Sequence, residues 1–451
     1  MVYNSPLGKT KFPLAPVSDG CTFISGYAFK SKDFTDIGYP VIKIKNIHDG
    51  FVTLEDSHCV TSKTVEGLKK FRLNNGDVLI AMTGQGSVGR VGRLSFNGDK
   101  APYLNQRVGK FIADEKKLNI SYLYYILTTK QYQNILFNNA SGSGQPNLSP
   151  AVIQSILIPY PEYHLQCKMA KILDEINDRI IKNNAINNTL EQMSQTLFKS
   201  WFVDFDPVID NALDAGNPIP EALQSRAELR QKVRNSADFK PLPADIRALF
   251  PAEFEEMELG WIPKGWKEIK LSLLSKITSG KRPPSKFSEP SSINNVPVWG
   301  GNGIKWFTSE HLYNERYIIT GRVGTLGTFY KVNGLSWPSD NALVIQPVNH
   351  ELYELIYQSL QTKDILSLNV GSTQPLLTQT TLGNITFIIP QDRGLLVKFQ
   401  SICDSFQEKI SDNKINIEIN TTLRDTLLPK LISGELSLED LPDLVTQTEP
   451  A

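Results

Sequence analysis

Over residues 1–158, short β-type runs alternate with Gly, Asn and Asp turns. Pro40-Val41-Ile42-Lys43-Ile44, Asp77-Val78-Leu79-Ile80-Ala81-Met82 and Ile156-Leu157-Ile158-Pro159 each predict a strand. Near 121–137, Leu123, Tyr124, Ile126, Leu127 and Ile135 fall at helical spacing and predict one helix. The pattern then changes. From His164 to Phe202 there is neither Gly nor Pro, and Met169, Ile172, Ile176, Ile186, Leu190, Met193 and Leu197 lie on heptad spacing, with Asn183 at an a-type position among them. This predicts a long helix with a coiled-coil face. About 34 residues at ~1.5 Å each make a rod of roughly 50 Å. Residues 204–265 are rich in proline. They predict an ordered connector with short helices near 220–233 and 242–250, since Phe239, Leu249, Phe250, Phe254 and Trp261 can pack. A second α/β alternation fills 266–392, with strands near 316–320, 342–346 and 385–389 and one helix near 351–366. A second long helix follows over about 395–431. Its seam holds Phe399, Ile402, Phe406, Ile410, Ile417, Leu423 and Leu427, with Asn413 matching Asn183 and with Asn416 and Asn420 weakening the heptad.

The pattern repeats because the sequence does. Gln145-Pro146-Asn147-Leu148-Ser149 recurs as Gln374-Pro375-Leu376-Leu377-Thr378, and one inserted residue later Ile172, Asp174, Ile180 and Asn183 recur as Ile402, Asp404, Ile410 and Asn413. A period this long is a duplicated domain plus helix, not a solenoid of roughly 20–50-residue repeats. The expected fold is mixed α/β: two similar domains (1–160 and 266–392), each followed by a long helix (161–203 and 393–434). An acidic connector spans 204–265 and a loose tail 435–451. The two helices should pair as an antiparallel coiled coil. Asn183 and Asn413, each near the centre of its helix, would then meet and fix the register; the alternative is that both face solvent. Built-in pseudo-two-fold symmetry suits a target with two half-sites, or two copies of a partner.

Formal net charge is zero, but it is unevenly spread: residues 1–160 hold 18 Lys and Arg against 11 Asp and Glu, whereas 204–265 hold 7 against 12. Residues 266–392 hold 11 against 9, so the two repeat units are the basic parts, and a local basic face on them could bind phosphates; drift in surface charge is the other reading. Cys21, Cys59, Cys167 and Cys403 are far apart, which points to reduced thiols in a cytoplasm and to neither zinc nor disulfides. The five histidines are scattered, and no run has the length of a membrane span or the character of a signal peptide.

No catalytic signature is present. Gly8-Lys9-Thr10 resembles the end of a P-loop, but position 3 is Tyr and no strand precedes it. GxSxG, HExxH and the Asp/Asn-Pro-Pro-Tyr/Phe run of amino-methyltransferases are missing. What remains is recognition chemistry on loops. Gly84, Gln85, Ser87 and Arg90 follow a strand of the first domain, and Arg322 and Thr325 follow the corresponding strand of the second. Asn105, Gln106 and Arg107, and later Asn341, fall at matching points. Lys281, Arg282 and Lys286 form a basic loop, while Gln145 and Gln374 close flexible polar loops. Such side chains can read base edges or hold phosphates; tight hairpins with incidental polar residues are the alternative.

Three long stretches carry a family resemblance. They are Leu197-Phe198-Lys199-Ser200-Trp201-Phe202-Val203-Asp204-Phe205-Asp206-Pro207; Leu249-Phe250-Pro251 with Gly260-Trp261-Ile262-Pro263-Lys264-Gly265-Trp266; and Leu423-Arg424-Asp425-Thr426-Leu427-Leu428-Pro429-Lys430-Leu431. In these the chain resembles the specificity subunits of type I restriction-modification enzymes, over essentially its whole length. The resemblance implies two target-recognition domains that each read half of a split, asymmetric site in double-stranded DNA, spaced by an antiparallel coiled coil. It implies two docked modification (methyltransferase) subunits that use S-adenosylmethionine, and two restriction subunits that use ATP and Mg. The chain itself would bind no cofactor and catalyse nothing. Recognition domains of this family diverge, so the loop residues above rest on their chemistry alone. A coiled-coil adaptor that binds only proteins, and an enzyme with an unrecognised active site, are the rival readings. Salt-sensitive duplex binding separates the DNA reader from both.

Overall fold

In the computed structural model, residues 2–142, 146–258, 260–324, 326–371 and 374–436 are described. The chain forms two compact units that do not follow the consecutive segments. One comprises residues up to Asn184 together with those from Lys414; the other is Ala185–Asn413. Each therefore contains one mixed α/β domain and part of each long helix.

In the first unit a five-stranded sheet runs in the order Cys21–Ser25, Val108–Ala113, Val78–Ala81, Val91–Leu94, Gly50–Val52. All neighbours are antiparallel except the last pair. Val78–Ala81 is continuously apolar because it is buried on both faces. The helical stretch beside it is two helices, Ile120–Leu127 and Lys130–Asn138, rather than the single one expected. The break is local: the Thr129 hydroxyl accepts from the Tyr132 N–H and starts a new helix. A smaller sheet pairs Tyr103–Leu104, Tyr39–Ile42, Cys59–Val60 and Phe34–Thr35.

The second unit repeats the plan. Ser275–Ser279, Ala342–Pro347, Tyr317–Gly321 and Phe329–Val332 form an antiparallel sheet. Gly303–Thr308, Val296–Gly300, Leu335–Pro338 and Tyr313–Asn314 form the smaller one.

The long helices are Tyr163–Phe198, which ends in a π-type turn at Lys199–Val203, and Arg393–Ser433. In the first unit Met169, Leu173 and Ile176 bury against a core that includes Leu427, Leu428, Leu431 and Ile432. The N-terminal segment closes the far end of that core: Lys11 N–H donates to the Ser433 carbonyl at 3.0 Å, and Thr10 Oγ1 to that of Ile432 at 2.9 Å. In the second unit the helices run antiparallel. Asn187 is bonded to Asn413, and Phe202 stacks edge-on against Phe399 with centroids 4.9 Å apart, so one helix advances as the other retreats.

The expected partner of Asn413 is corrected by this register. Asn413 Nδ2 donates to Asn187 Oδ1 at 2.8 Å, with both residues buried, and Asn183 is only half-buried. In an antiparallel pair the register decides which residues meet, and in the second unit it brings Asn187, one turn beyond Asn183, to Asn413. Met193, expected in the seam, is 46% exposed. The buried line runs one step over, through Asn187, Ser194 and Trp201.

The connector's acidity is largely spent internally. Helix Asp206–Ala215 presents Asp206, Asp210 and Asp214 to Arg226, Arg230 and Arg234 of helix Gln224–Arg234. Arg226 grips Asp206 through two bonds of 2.8 and 2.7 Å. The aromatic stretch before it packs with Phe250, Trp266 and Phe399.

Candidate nucleic-acid interface

The most strongly repeated motif has a mechanical explanation. In the first unit Pro146 accepts a bond from the Gly84 N–H at 3.3 Å, and the Leu148 N–H donates to the Met82 carbonyl at 2.8 Å. The Leu148 side chain is fully buried, and Ser149 caps helix Pro150–Ser155 by accepting from the Val152 N–H. In the second unit Pro375 accepts from the Gly324 N–H at 3.0 Å. The Leu377 N–H donates to the Arg322 carbonyl at 2.9 Å, Leu377 is fully buried, and Thr378 caps helix Gln379–Gly383. The motif thus clamps one loop beneath another.

A third loop joins each pair. Met82 N–H donates to the Arg107 carbonyl, and Arg322 N–H to the Asn341 carbonyl, both at 2.9 Å. A fourth segment completes the set. Gly26 and Tyr27 donate to Val108 and Leu104 at 3.1 and 2.8 Å, and Gly280 and Lys281 to Ala342 and Pro338, both at 3.0 Å. A Cβ at Gly26 would lie 2.3 Å from the Asn105 carbonyl oxygen, and one at Gly280 would lie 2.2 Å from that of Ser339, so neither position accepts a side chain. The four segments gather at one end of the main sheet in each unit, where Ala81 pairs with Val108 and Gly321 with Ala342.

Most of the sequence-derived candidates come together here. In the first unit Gln85, Gln106 and Arg107 are exposed and Asn105 is half-buried. Gly84 has φ of 111°, and a Cβ there would meet Ser87 Oγ at 2.5 Å. Ser87 lies in the same loop, 3.5 Å from the Thr83 carbonyl. Arg90 is partly committed, with Nε 3.9 Å from Asp49. In the second unit Lys281, Arg282, Asn341 and Gln374 are exposed and Arg322 is half-buried. Lys286 is engaged elsewhere, its ammonium 4.3 Å above the Trp306 ring. Gln145 and Thr325 lie outside the described residues. The two strand-to-strand loops do occupy the same place, but Gly84 corresponds to Gly324. Arg322 therefore takes the place of Met82.

Tyr27 was not anticipated. It is 38% exposed and stands where the second unit has Lys281. The shared Ser-Gly of Ser25-Gly26-Tyr27 and Ser279-Gly280-Lys281 was the available signal.

Each domain is fastened to its helices by charge. Arg93 donates to Asp174 at 2.7 Å and Tyr125 to the same carboxylate at 2.8 Å, within the first unit. In the second unit the repeat-equivalent Asp404 accepts from Arg316 at 2.5 Å, from Gln400 at 3.1 Å, and pairs with His350 at 2.8 Å. Burial alone would raise the Asp404 carboxyl, but these bonds outweigh it and hold it below its ordinary range. Burial also pushes the Cys21 and Cys403 thiols up to about 12, which leaves them poor nucleophiles. Among the described residues, no group of three or more His, Cys, Asp or Glu is arranged to hold a metal, and no helix is long and apolar enough to cross a membrane.

The family model described as type I restriction modification DNA specificity domain matches residues 15–192 and again 263–421. The specificity subunit of the type I restriction enzyme HindI from Haemophilus influenzae is 28% identical, over 90% of this chain and 96% of its own. That of MjaIX from Methanocaldococcus jannaschii is also 28% identical, over 71% and 70%. Among solved structures, the type I restriction-modification S subunit from M. genitalium has a TM-score of 0.57 at 18% identity, covering 94% of this chain and 96% of that one. The double match falls on the two repeats that share the loop lattice: the chain belongs to the type I restriction-modification DNA specificity family.

Proposed function

We propose that this chain reads a bipartite, asymmetric site in double-stranded DNA, one half per domain, and serves a type I restriction-modification complex without catalysing either reaction. The observation that carries this reading is the loop lattice. The same backbone bonds recur in both units, while the side chains mounted on them differ. A scaffold held constant with its readers varied is what two unlike half-sites require. In this reading the paired helices space the two domains and offer a platform for modification subunits carrying S-adenosylmethionine and restriction subunits using ATP and Mg, in the cytoplasm.

The test is the methylated motif in cells that express the chain with its modification subunit. A split motif is expected. Inserting one heptad into both long helices adds about 10 Å of rod, equivalent to about three base pairs at 3.4 Å each, and should lengthen the spacer while leaving both half-sites unchanged. A contiguous motif would overturn the reading of two half-sites, and an unchanged spacer would overturn the ruler.

A further inference from the structure

The backbone bridge at the centre of each lattice joins two residues: Met82 with Arg107 in the first unit, Arg322 with Asn341 in the second. Met82 corresponds to Arg322, and Arg107 to Asn341. Each bridge therefore carries a single arginine, mounted on opposite partners. Where the second unit has Arg322, the first has a buried methionine, 7% exposed. Where the first has exposed Arg107, the second has an exposed asparagine.

Several arginines nearby are committed to partners, although, among the described residues, exposed Arg282 is not. Arg90 faces Asp49, Arg93 is bound to Asp174, and Arg316 to Asp404. Among the described residues, neither Arg107 nor Arg322 has a side-chain partner. Each is held by its backbone where three loops converge, which fixes the point from which the side chain reaches out.

We propose that Arg107 and Arg322 are the specificity-determining guanidiniums of this protein, each reading a guanine in its own half-site from reciprocal positions on one shared backbone bridge. The inference rests on the half-site reading above. Its chemistry is the planar fork of arginine, which matches the O6 and N7 acceptors of guanine in the major groove. Arginine's reciprocal placement shifts the contacted base relative to the scaffold, so one lattice can read two sequences.

The experiment uses the full chain assembled with its modification subunit. It reads the methylated motif and the affinity for the native duplex. Arg107→Ala should relax one G·C position in one half and leave the other half intact, with affinity falling on the order of tenfold to a hundredfold. Arg322→Ala should do the same in the other half. Lysine keeps the charge but not the fork, so Arg107→Lys and Arg322→Lys should relax the same positions. A uniform loss of affinity with the motif unchanged would mean phosphate anchoring, and full rescue by lysine would mean that the planar fork is not what reads the base; either overturns the proposal. So would relaxation of both halves by one substitution. Arg107 is exposed, so its variants report even where Arg322 variants fold poorly. A contiguous wild-type motif would instead sink the half-site reading itself.

Discussion

The Asn187–Asn413 pair gives a sharp test of how the helices are registered. Asn413 is 2% exposed and Asn187 7%, and the hydrogen bond from the Asn413 amide to the Asn187 carbonyl oxygen is 2.8 Å long. Replacing Asn413 alone with Leu leaves the Asn187 amide buried without its partner. The cost of an unsatisfied buried polar group is about 1–3 kcal/mol. Burial of the new leucine returns part of this, so a net loss of about 1 kcal/mol is expected. Replacing both with Leu removes the orphan and packs the seam with apolar surface. The double variant should be as stable as wild type or more so, with looser register. The signature is therefore non-additivity: the double change must be less damaging than the singles added together, by at least about 1 kcal/mol. For a unit of this size each kcal/mol moves the melting point by about 2–4 °C, so a thermal or urea double-mutant cycle resolves it. Additive effects within about 0.5 kcal/mol, or a single Asn413→Leu more stable than wild type, would show that the pair does not set the register.

Three further outcomes are expected. The Asp404 carboxyl is depressed in the folded state, so its contribution is fully present above the ordinary value of 3.8 and is lost as pH falls below it; Asp404→Asn should flatten the acid limb of a stability profile, and an unchanged limb would refute the assignment. Gly280→Ala drives a Cβ to 2.2 Å from the Ser339 carbonyl and should cost about 1–3 kcal/mol, so an unaltered melting point would argue against the drawn-in backbone. The purified chain alone should transfer no methyl group to DNA, and turnover free of any partner would restore the enzyme reading.

The parts legible in the sequence were those set by local periodicity. Absence of Gly and Pro gave the first long helix, heptad spacing gave both, and the repeated motif gave the two-domain plan with some of its strands; the second helix runs through Gly394 and Pro429. What was missed depends on pairing. Asn183 and Asn413 are equivalent by repeat, but antiparallel contact is decided by register, and a shift of four residues, one helical turn, brought Asn187 to Asn413 instead. Met193 failed for a related reason: Ile186, Leu190 and Leu197 mark the edge of the stripe, and the centre holds polar Asn187 and Ser194, which a search for apolar residues passes over. The connector clamp was not anticipated: its acids and its arginines each recur four apart in the sequence, but which acid faces which arginine is a packing outcome. The loop register was hidden by length. The second loop, from Thr320 to Phe329, is two residues shorter than the first, from Ile80 to Val91. Aligning the glycines by eye sets Gly84 on Gly321; the hydrogen bonds set it on Gly324. That shift changes the chemistry, since it moves Arg322 from a loop tip to the bridge where the other domain keeps a methionine. Divergent readers can therefore be compared only after the lattice is aligned, because the lattice is what the repeat has preserved.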